Sequence, residues 1–204
     1  MSDPQPTFNQ AGSRVHPEEA RIYGRELLDA LRKQQIDMDD ALWLVKNGAS
    51  FEITDARGDT ALHIAARLQM PALVREMLIR GADPETPNTA GNTPIIIAAT
   101  GGGEVLYHLL SAKPAVHHRN NGGNDALTCA VAAHKTDNMH QLLAAGARPD
   151  QKLMDMAERL GRHDMLPDLQ AAQKRQQAAF VARSTTTARD VSVINMPPPR
   201  RPKP

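Results

Sequence analysis

Two groups of residues have the types that metal or phosphate binding would need. His117 and His118 could ligate a metal, but adjacent side chains diverge, and no cysteine or carboxylate stands nearby at ligand spacing. Gly101–Gly103 could cradle a phosphate, but these glycines are expected between two helices rather than after a strand, and the lysine of a phosphate loop is absent. The sequence therefore predicts neither a metal site nor a phosphate site.

Cys129 is the single cysteine and could act as a nucleophile. It takes the place of Ile64 and Ile97 in two similar stretches, on a packing face where a thiol is expected to be buried and inert. No nucleophile and base stand at a spacing that indicates a catalytic pair. We therefore expect a protein that is not an enzyme and that takes no cofactor and no small-molecule substrate.

The composition predicts a compact, mildly acidic body with a basic tail. Of the 204 residues, 41% are hydrophobic but only 3% are aromatic, so aliphatic and small side chains must fill the core. The formal net charge is +1, but the part after Ala171 is distinctly basic. The first thirty residues contain no apolar run of the secretory kind, and no stretch approaches the roughly 18 apolar residues of a membrane span. These features predict a cytoplasmic protein, with secretion by a specialised system as an open alternative.

A repeat of about 33 residues runs through the middle of the chain. The phrase GDTALHIAA begins at Gly58, GNTPIIIAA at Gly91 and GNDALTCAV at Gly123. Helix-ending stretches, KNGAS, IRGAD, SAKPA and AAGAR, recur in the same register. A period of this length is typical of stacked repeats, in which each unit contacts only its neighbours.

Each repeat is expected to consist of two helices and an extended finger. Thr60, Thr93 and Asp125 precede the apolar runs, where each can accept a hydrogen bond from the first helical turn. The glycine that follows most of the second helices suits a left-handed helix cap. About ten polar, turn-rich residues then lead to the next phrase. One such helix pair cannot bury its apolar face alone, so neighbouring pairs must stack.

This pattern resembles the ankyrin repeat, whose signature is T-P-L-H-x-A. TALHIAA at Thr60–Ala66 matches best, TPIIIAA keeps Thr93 and Pro94 but has Ile96 in place of the histidine, and DALTCAV keeps least. The resemblance implies an all-α, ankyrin-type solenoid of helix–turn–helix repeats joined by finger loops, in which His63 holds neighbouring loops by hydrogen bonds. It also implies protein binding, without identifying the partner.

The predicted organisation is three repeats between two capping units, with ends whose composition is typical of disorder. The C-terminal unit is expected to carry an extended last helix, and the final segment to be basic and proline-rich. The bounds are 1–15 for the N-terminal end, 16–50 for the N-terminal cap, 51–82, 83–114 and 115–147 for the repeats, 148–183 for the C-terminal cap, and 184–204 for the tail.

The resemblance places a partner on the concave surface, which the finger tips and the inner helices form. The candidate positions flank the finger turns and follow the Ala-Ala pairs. The expected function is that of a monomeric adaptor, inhibitor or targeting subunit that binds another protein. The positions are Thr54, Ala56, Arg57, Asp59, Arg67, Leu68, Pro87, Thr89, Ala90, Asn92, Thr100, Arg119, Asn121, Gly122, Asn124, Ala132 and Ala133.

Two other functions stay open from the sequence. A bacterial-type secreted effector could use the repeats to grip a host protein, with the flexible basic end as an export tag. Alternatively, the basic tail could bind nucleic acid or an acidic membrane, which would make binding steeply dependent on salt; this is the less favoured interpretation. The tail also contains a P-x-x-P motif, Pro199–Pro202, a pattern of polyproline ligands.

Two local features carry expectations of their own. Trp43, on the predicted outer face of its helix, is either an exposed anchor for a partner or is covered by Ile22 or Tyr23. Residues 100–122 are expected to be the weakest part of the array, because three glycines occupy one turn there and Lys113 replaces a helix-ending glycine. Proline after that lysine should push it towards an extended conformation.

Leu127 aligns with Leu62 and Ile95 and should therefore be a core residue despite its poorly matching phrase. We expect Leu127→Ala to lower the free energy of unfolding by about 2–5 kcal/mol, because it leaves a cavity. Urea denaturation measures the change. A loss below about 1 kcal/mol would contradict this register of the third repeat.

Overall fold

The computed structural model describes residues 14–33 and 37–179, and in these ranges the chain folds into ten helices. The expectations for both ends of the chain, including the tail and any helix beyond residue 179, lie outside the described residues. The helices are α1 (Pro17–Lys33), α2 (Met38–Lys46), α3 (Ala61–Arg67), α4 (Pro71–Ile79), α5 (Pro94–Ala98), α6 (Gly103–Ser111), α7 (Ala126–Ala132), α8 (Thr136–Ala144), α9 (Gln151–Arg159) and α10 (residues 166–179).

The helices stack in two layers. The odd-numbered helices from α1 to α9 pack side by side as an inner layer, and α2, α4, α6 and α8 form an outer layer. Each of α1, α3, α5 and α7 also packs against the outer helix that follows it in the chain. This arrangement confirms the all-α stack of helix pairs that the repeat predicted.

Helices α3, α5 and α7 are short and mostly buried, for reasons that their sequences explain. Thr60 and Asp125 cap α3 and α7 by accepting hydrogen bonds from the N–H groups of the residues three places later. The alanine pairs that end α3 and α5 have essentially no exposed surface, so neighbouring helices approach closely there. Leu62, Ile95 and Leu127 are all buried in one continuous cluster, which confirms the register predicted for the third repeat.

The prediction that Lys113 adopts an extended conformation is wrong. Its φ is 55°, in the left-handed region that Gly48, Gly81 and Gly146 also occupy after α2, α4 and α8. Its N–H donates to the carbonyl of Leu110 at 2.9 Å, as the glycines donate to the matching residues of their own helices. The geometry of the helix end therefore overrides the local preference of a residue that precedes proline.

Pro114 removes a main-chain hydrogen-bond donor at the end of α6. After α4, the N–H of Ala82 donates to the carbonyl of Met77 at 2.9 Å, and the residue after the cap makes the same bond at the ends of α2 and α8. Pro114 stands at this position after α6 and has no N–H. Helix α6 therefore ends with a strained lysine and lacks the bond that closes the other helix ends.

The Gly101–Gly103 turn is held by side-chain amides from both neighbouring repeats. Oε1 of Gln69 accepts the Gly102 N–H at 2.6 Å, and a Cβ at Gly101 would collide with the same amide. From the other side, Asn138 Nδ2 donates to the Gly101 carbonyl at 3.1 Å, and Gln141 Nε2 donates to the Gly103 carbonyl at 3.2 Å. The glycines make room for these amides, which removes one of the reasons for expecting a weak point here.

Lys113→Gly should raise the free energy of unfolding by about 0.5–1 kcal/mol, because glycine adopts a positive φ without the steric cost of a side chain. Urea denaturation monitored by circular dichroism measures the change. Ala112→Gly is the matched control: Ala112 has a helical φ of −79°, so glycine there should lower stability. A destabilised Lys113→Gly variant would contradict the presence of strain at this helix end.

Candidate partner-binding surface

Three fingers carry the candidate surface: finger 1 (residues 51–60), finger 2 (83–93) and finger 3 (115–125). In each finger, one side-chain oxygen holds the turn by accepting two main-chain N–H groups. Oδ1 of Asp55 accepts the N–H groups of Arg57 and Asp59 at 2.7 and 3.0 Å. Asn88 and Asn120 accept the corresponding N–H groups of fingers 2 and 3, all at 3.0 Å. Because the turn satisfies its own backbone groups, its shape does not depend on a partner.

Neighbouring fingers are joined through their main chains. The Thr89 N–H donates to the Arg57 carbonyl at 3.0 Å, and the Asn121 N–H donates to the Ala90 carbonyl at the same distance. The Thr89 hydroxyl adds a second bond to the Arg57 carbonyl, at 2.7 Å. Gly58 has a φ of 71°, and a Cβ there would lie 2.9 Å from the Thr89 nitrogen, so this close approach requires glycine.

Asp59, predicted to contact a partner, is instead completely buried beneath fingers 1 and 2. Its carboxylate accepts hydrogen bonds from Arg67 Nη2 and Asn88 Nδ2, both at 2.7 Å. Burial by itself raises the pKa of Asp59, but the bonds from Asn88 and Arg67 outweigh it and hold the pKa below 3.8. Asp59 therefore joins two fingers and the end of α3, and it is not accessible to a partner.

His63 is fully buried and holds finger 2 to α3. Its Nε2–H donates to the Asn92 carbonyl at 2.9 Å, while Nδ1 accepts the Thr60 N–H at 3.1 Å. Both contacts use the neutral ring. Burial lowers the pKa of His63 from 6.5, against the opposing effects of the Asn92 carbonyl and Asp59. The loop-holding role that the resemblance implied for this histidine agrees with these contacts.

Finger 3 is tied differently, because Ile96 stands where α3 has the histidine. Thr93 Oγ1, at the start of α5, is buried without a hydrogen-bond partner in the described part of the chain. His118 provides another tie: its Nε2–H donates to the Gly91 carbonyl of finger 2 at 2.9 Å. Asn120 adds a bond from its Nδ2 to Asn92 Oδ1 at 2.7 Å. The sequence indicated neither residue as a tie, since no local pattern shows which loop a side chain faces.

Arg119 is exposed, as a partner-binding residue should be, but it also connects finger 3 to α9. Its Nη2 lies 3.0 Å from Asp150 Oδ2 and 3.7 Å from Asp125 Oδ2, and Nη1 donates to the Gly123 carbonyl. Burial raises the pKa of Asp150, but the Leu153 N–H and Arg119 outweigh it and lower that pKa overall. Because both carboxylates cap helices, charge reversal at Arg119 would disturb the fold as well as the surface.

Most of the other candidate positions are exposed. Leu68 is half-buried, and so is Asn92, whose carbonyl and side chain are used within the fingers. That these positions bind a partner stays a prediction. The exposed candidates are Thr54, Ala56, Arg57, Arg67, Pro87, Thr89, Ala90, Thr100, Arg119, Asn121, Gly122, Asn124, Ala132 and Ala133.

Trp43 is both contacted and exposed. The ring of Tyr23 packs edge-on against it with centroids 5.7 Å apart, yet 52% of Trp43 remains accessible. Ile22 is exposed as well. Tyr23 therefore covers Trp43 only in part, and the tryptophan lies outside the finger surface, on the outer helix α2.

The environment of Cys129 does not favour a reactive thiol. Cys129 is half-buried, and burial raises the pKa of its thiol from 9.0, so the protonated, unreactive form is favoured. Between residues 14 and 33 and between 37 and 179, no three His, Cys, Asp or Glu side chains group in a way that could hold a metal ion. No helix in those same ranges has the length and hydropathy needed to cross a membrane.

Comparison with known proteins agrees with the geometry of the fingers and helix pairs. The family model described as "Ankyrin repeats (3 copies)" matches residues 27–111 and 62–152, which together span more than half of the chain. The chain belongs to the ankyrin-repeat family. The first match begins within α1, so the ankyrin pattern reaches into the unit expected as an N-terminal cap. Ankyrin repeats are generally protein–protein interaction modules and are typically non-catalytic.

Three of the proteins to which this ankyrin-repeat chain is similar each match part of it. The putative palmitoyltransferase ZDHHC13 of Danio rerio is 29% identical over 126 residues, 60% of this chain and 19% of that protein. The human neurogenic locus notch homolog protein 4 is 35% identical over 96 residues, 46% of this chain and 5% of that protein. The inactive serine/threonine-protein kinase TEX14 of Bos taurus is 34% identical over 93 residues, 45% of this chain and 6% of that protein. The chain thus spans less than a fifth of the length of these curated relatives.

The lowered pKa of His63 predicts a pH dependence of stability. Below the usual value of 6.5, the unfolded chain binds a proton that the folded ankyrin array binds only at lower pH. The stability that His63 contributes is therefore complete above pH 6.5 and is lost as the pH falls through its lower, folded-state pKa. We expect the unfolding free energy, measured by urea denaturation, to fall less on acidification in His63→Gln than in wild type.

His117→Gln is the control for this measurement, because His117 is exposed on finger 3. It removes a histidine whose side chain lies outside the buried contacts of the array. If His63→Gln and wild type lost equal stability between about pH 7.5 and about pH 5.5, the titration of His63 would not be linked to folding.

Proposed function

We propose that this chain is a non-catalytic binding protein that holds a protein partner on its concave surface, as an adaptor, an inhibitor or a targeting subunit. One observation supports the proposal. The main-chain N–H groups of each finger turn are bonded within that turn, and exposed side chains stand at corresponding positions of the three fingers. A surface that is ordered before binding loses less conformational entropy when a partner arrives.

The chemistry of the surface favours a polypeptide partner. Fingers 1 to 3 and the ends of the inner helices spread the exposed candidate positions over three successive repeats. Such an extended surface suits a partner of comparable length better than a small molecule, which needs a concave pocket. The exposed threonine and asparagine side chains can donate and accept hydrogen bonds along an extended chain.

The same chemistry predicts modest affinity. The candidate positions include no aromatic side chain, although buried aromatic anchors dominate many tight interfaces. Binding therefore depends on the fit of the partner and on hydrogen bonds rather than on one deep anchor. We also propose a monomeric state and a cytoplasmic location. The single half-buried cysteine is compatible with a reducing compartment, in which disulfides are rare.

The location of the binding surface is tested by filling it with side chains that carry no charge. Thr100→Tyr together with Ala132→Tyr places two rings at exposed positions, just after the inner helix α5 and at the last residue of the inner helix α7. The matched control is Ser111→Tyr together with Ala144→Tyr, at exposed positions on the outer helices α6 and α8. Affinity capture, with the bound proteins identified by mass spectrometry, compares both variants with wild type.

We expect the wild type and the outer-helix variant to capture the same protein, and the inner-helix variant to lose it at least tenfold, about 1.4 kcal/mol of binding free energy. Equal capture by all three proteins would contradict a concave binding site. If capture instead disappeared when residues 184–204 were removed, the basic tail would be the binding element. An unchanged circular dichroism spectrum confirms that each variant is folded.

A further inference from the structure

We infer that the partner presents an acidic segment to the first-repeat end of the concave surface, where Arg32, Arg57 and Arg67 form a basic cluster. This inference rests on the proposed function, because it assigns a partner chemistry to the same surface. It follows from the burial of the charged groups at finger 1, where arginine side chains are exposed and the aspartates paired with them are buried.

Two acidic groups of this cluster, Asp55 and Asp59, are buried, whereas its basic groups are exposed. The Arg67 side chain is 42% exposed above Asp59, whose side chain is completely buried 2.7 Å away. The Arg32 side chain is 51% exposed, and its Nε lies 3.7 Å from Asp55, whose side chain is 8% exposed. A partner therefore meets guanidinium groups whose counter-charges lie beneath them.

Arg57 adds a charge at the tip of finger 1. Its main chain supports the finger, since its N–H donates to Asp55 and its carbonyl accepts from Thr89. Its exposed side chain makes no ion pair within 4.0 Å in the described part of the chain. Asp29, 51% exposed and 3.8 Å from Arg32, is an accessible carboxylate beside the cluster. The three arginines and the three aspartates cancel in formal charge, but the guanidinium groups face outward and two of the carboxylates lie beneath them.

The positive charge does not continue along the surface. The position of Arg57 is taken by Ala90 in finger 2 and by Gly122 in finger 3. The position of Arg67 is taken by Thr100 and then by Ala132. A bound segment is therefore expected to place its carboxylates at the first-repeat end and a neutral stretch over the second and third repeats. This charge pattern fixes the direction in which the segment lies along the surface.

Acidic side chains fit this cluster better than a nucleic acid does. A guanidinium group keeps several N–H donors in a plane and binds a carboxylate through two parallel hydrogen bonds. Single-stranded nucleic acid needs aromatic rings on which bases can stack, and the candidate surface has none. The basic tail of the same chain carries the wrong charge to occupy this end.

The direct test measures binding of a fluorescein-labelled ten-residue glutamate peptide to the full chain by fluorescence anisotropy at low salt. Arg57→Glu should weaken binding about fivefold, which corresponds to about 1 kcal/mol. Arg75→Glu, the same change at an exposed position of the outer helix α4, should change binding less than twofold. Ala90→Arg should strengthen binding about threefold, because it extends the cluster to finger 2.

Several results would overturn the inference. These are the absence of measurable peptide binding, an equal loss for Arg57→Glu and Arg75→Glu, and a failure of Ala90→Arg to strengthen binding. A labelled ten-residue uridine RNA that binds more tightly than the peptide, and that Arg57→Glu releases, would assign the cluster to nucleic acid instead. A ten-residue lysine peptide serves as the probe of opposite charge and should not bind.

The inference and the proposed function fail separately. If the inner-helix tyrosine variant loses its captured protein while the glutamate peptide does not bind, the concave surface binds a partner that is not acidic. If the tyrosine variant captures as much protein as wild type, the proposed function fails whatever the peptide does. Urea denaturation of Arg57→Glu shows whether its effect on binding reflects a loss of folded protein.

Discussion

The finger surface depends on hydrogen bonds that pass from one finger to the next. In each pair of fingers, an N–H beside the turn donates to a carbonyl of the preceding finger, at 3.0 Å in both pairs. These bonds fix the spacing of the exposed side chains, since the fingers have no hydrophobic core of their own comparable to that of the helices. In fingers 1 and 2 this contact also requires a glycine, since a Cβ at Gly58 or Gly91 would lie within 3 Å of a main-chain nitrogen of the next finger.

The fingers and the helices are stabilised by different means. The helices bury aliphatic and alanine side chains in one continuous cluster, so their stability comes mainly from removing apolar surface from water. The fingers satisfy polar groups with one another, and they bury Asp59 and His63 where they meet α3. Exposed side chains at the finger tips can therefore vary without changing either source of stability.

Much of the fold could be predicted because the relevant signals are local and repeated. Helix starts at Thr60 and Asp125, the left-handed glycines and the burial of Leu127 all follow from spacing along the chain. The conformation of Lys113 was predicted incorrectly, because the local effect of proline is weaker than the packing of the whole helix end.

The candidate surface was less predictable, because the roles of its residues depend on contacts between repeats. Asp59 has an aspartate's usual preference for solvent, and only the fold shows that Arg67 and Asn88 converge on it. Arg119 likewise meets Asp150, which lies 31 residues later. His118 was considered only as a metal ligand, although its ring binds the main chain of finger 2.

His63 and His118 connect the fingers to different parts of the array. His63 belongs to helix α3, so it anchors finger 2 to the rigid interior of the array. His118 belongs to finger 3 itself, so it couples finger 3 to finger 2 without passing through α5. A force applied to finger 2 is therefore resisted by α3, whereas a force applied to finger 3 is shared between finger 2 and, through Arg119 and Asp150, the start of α9.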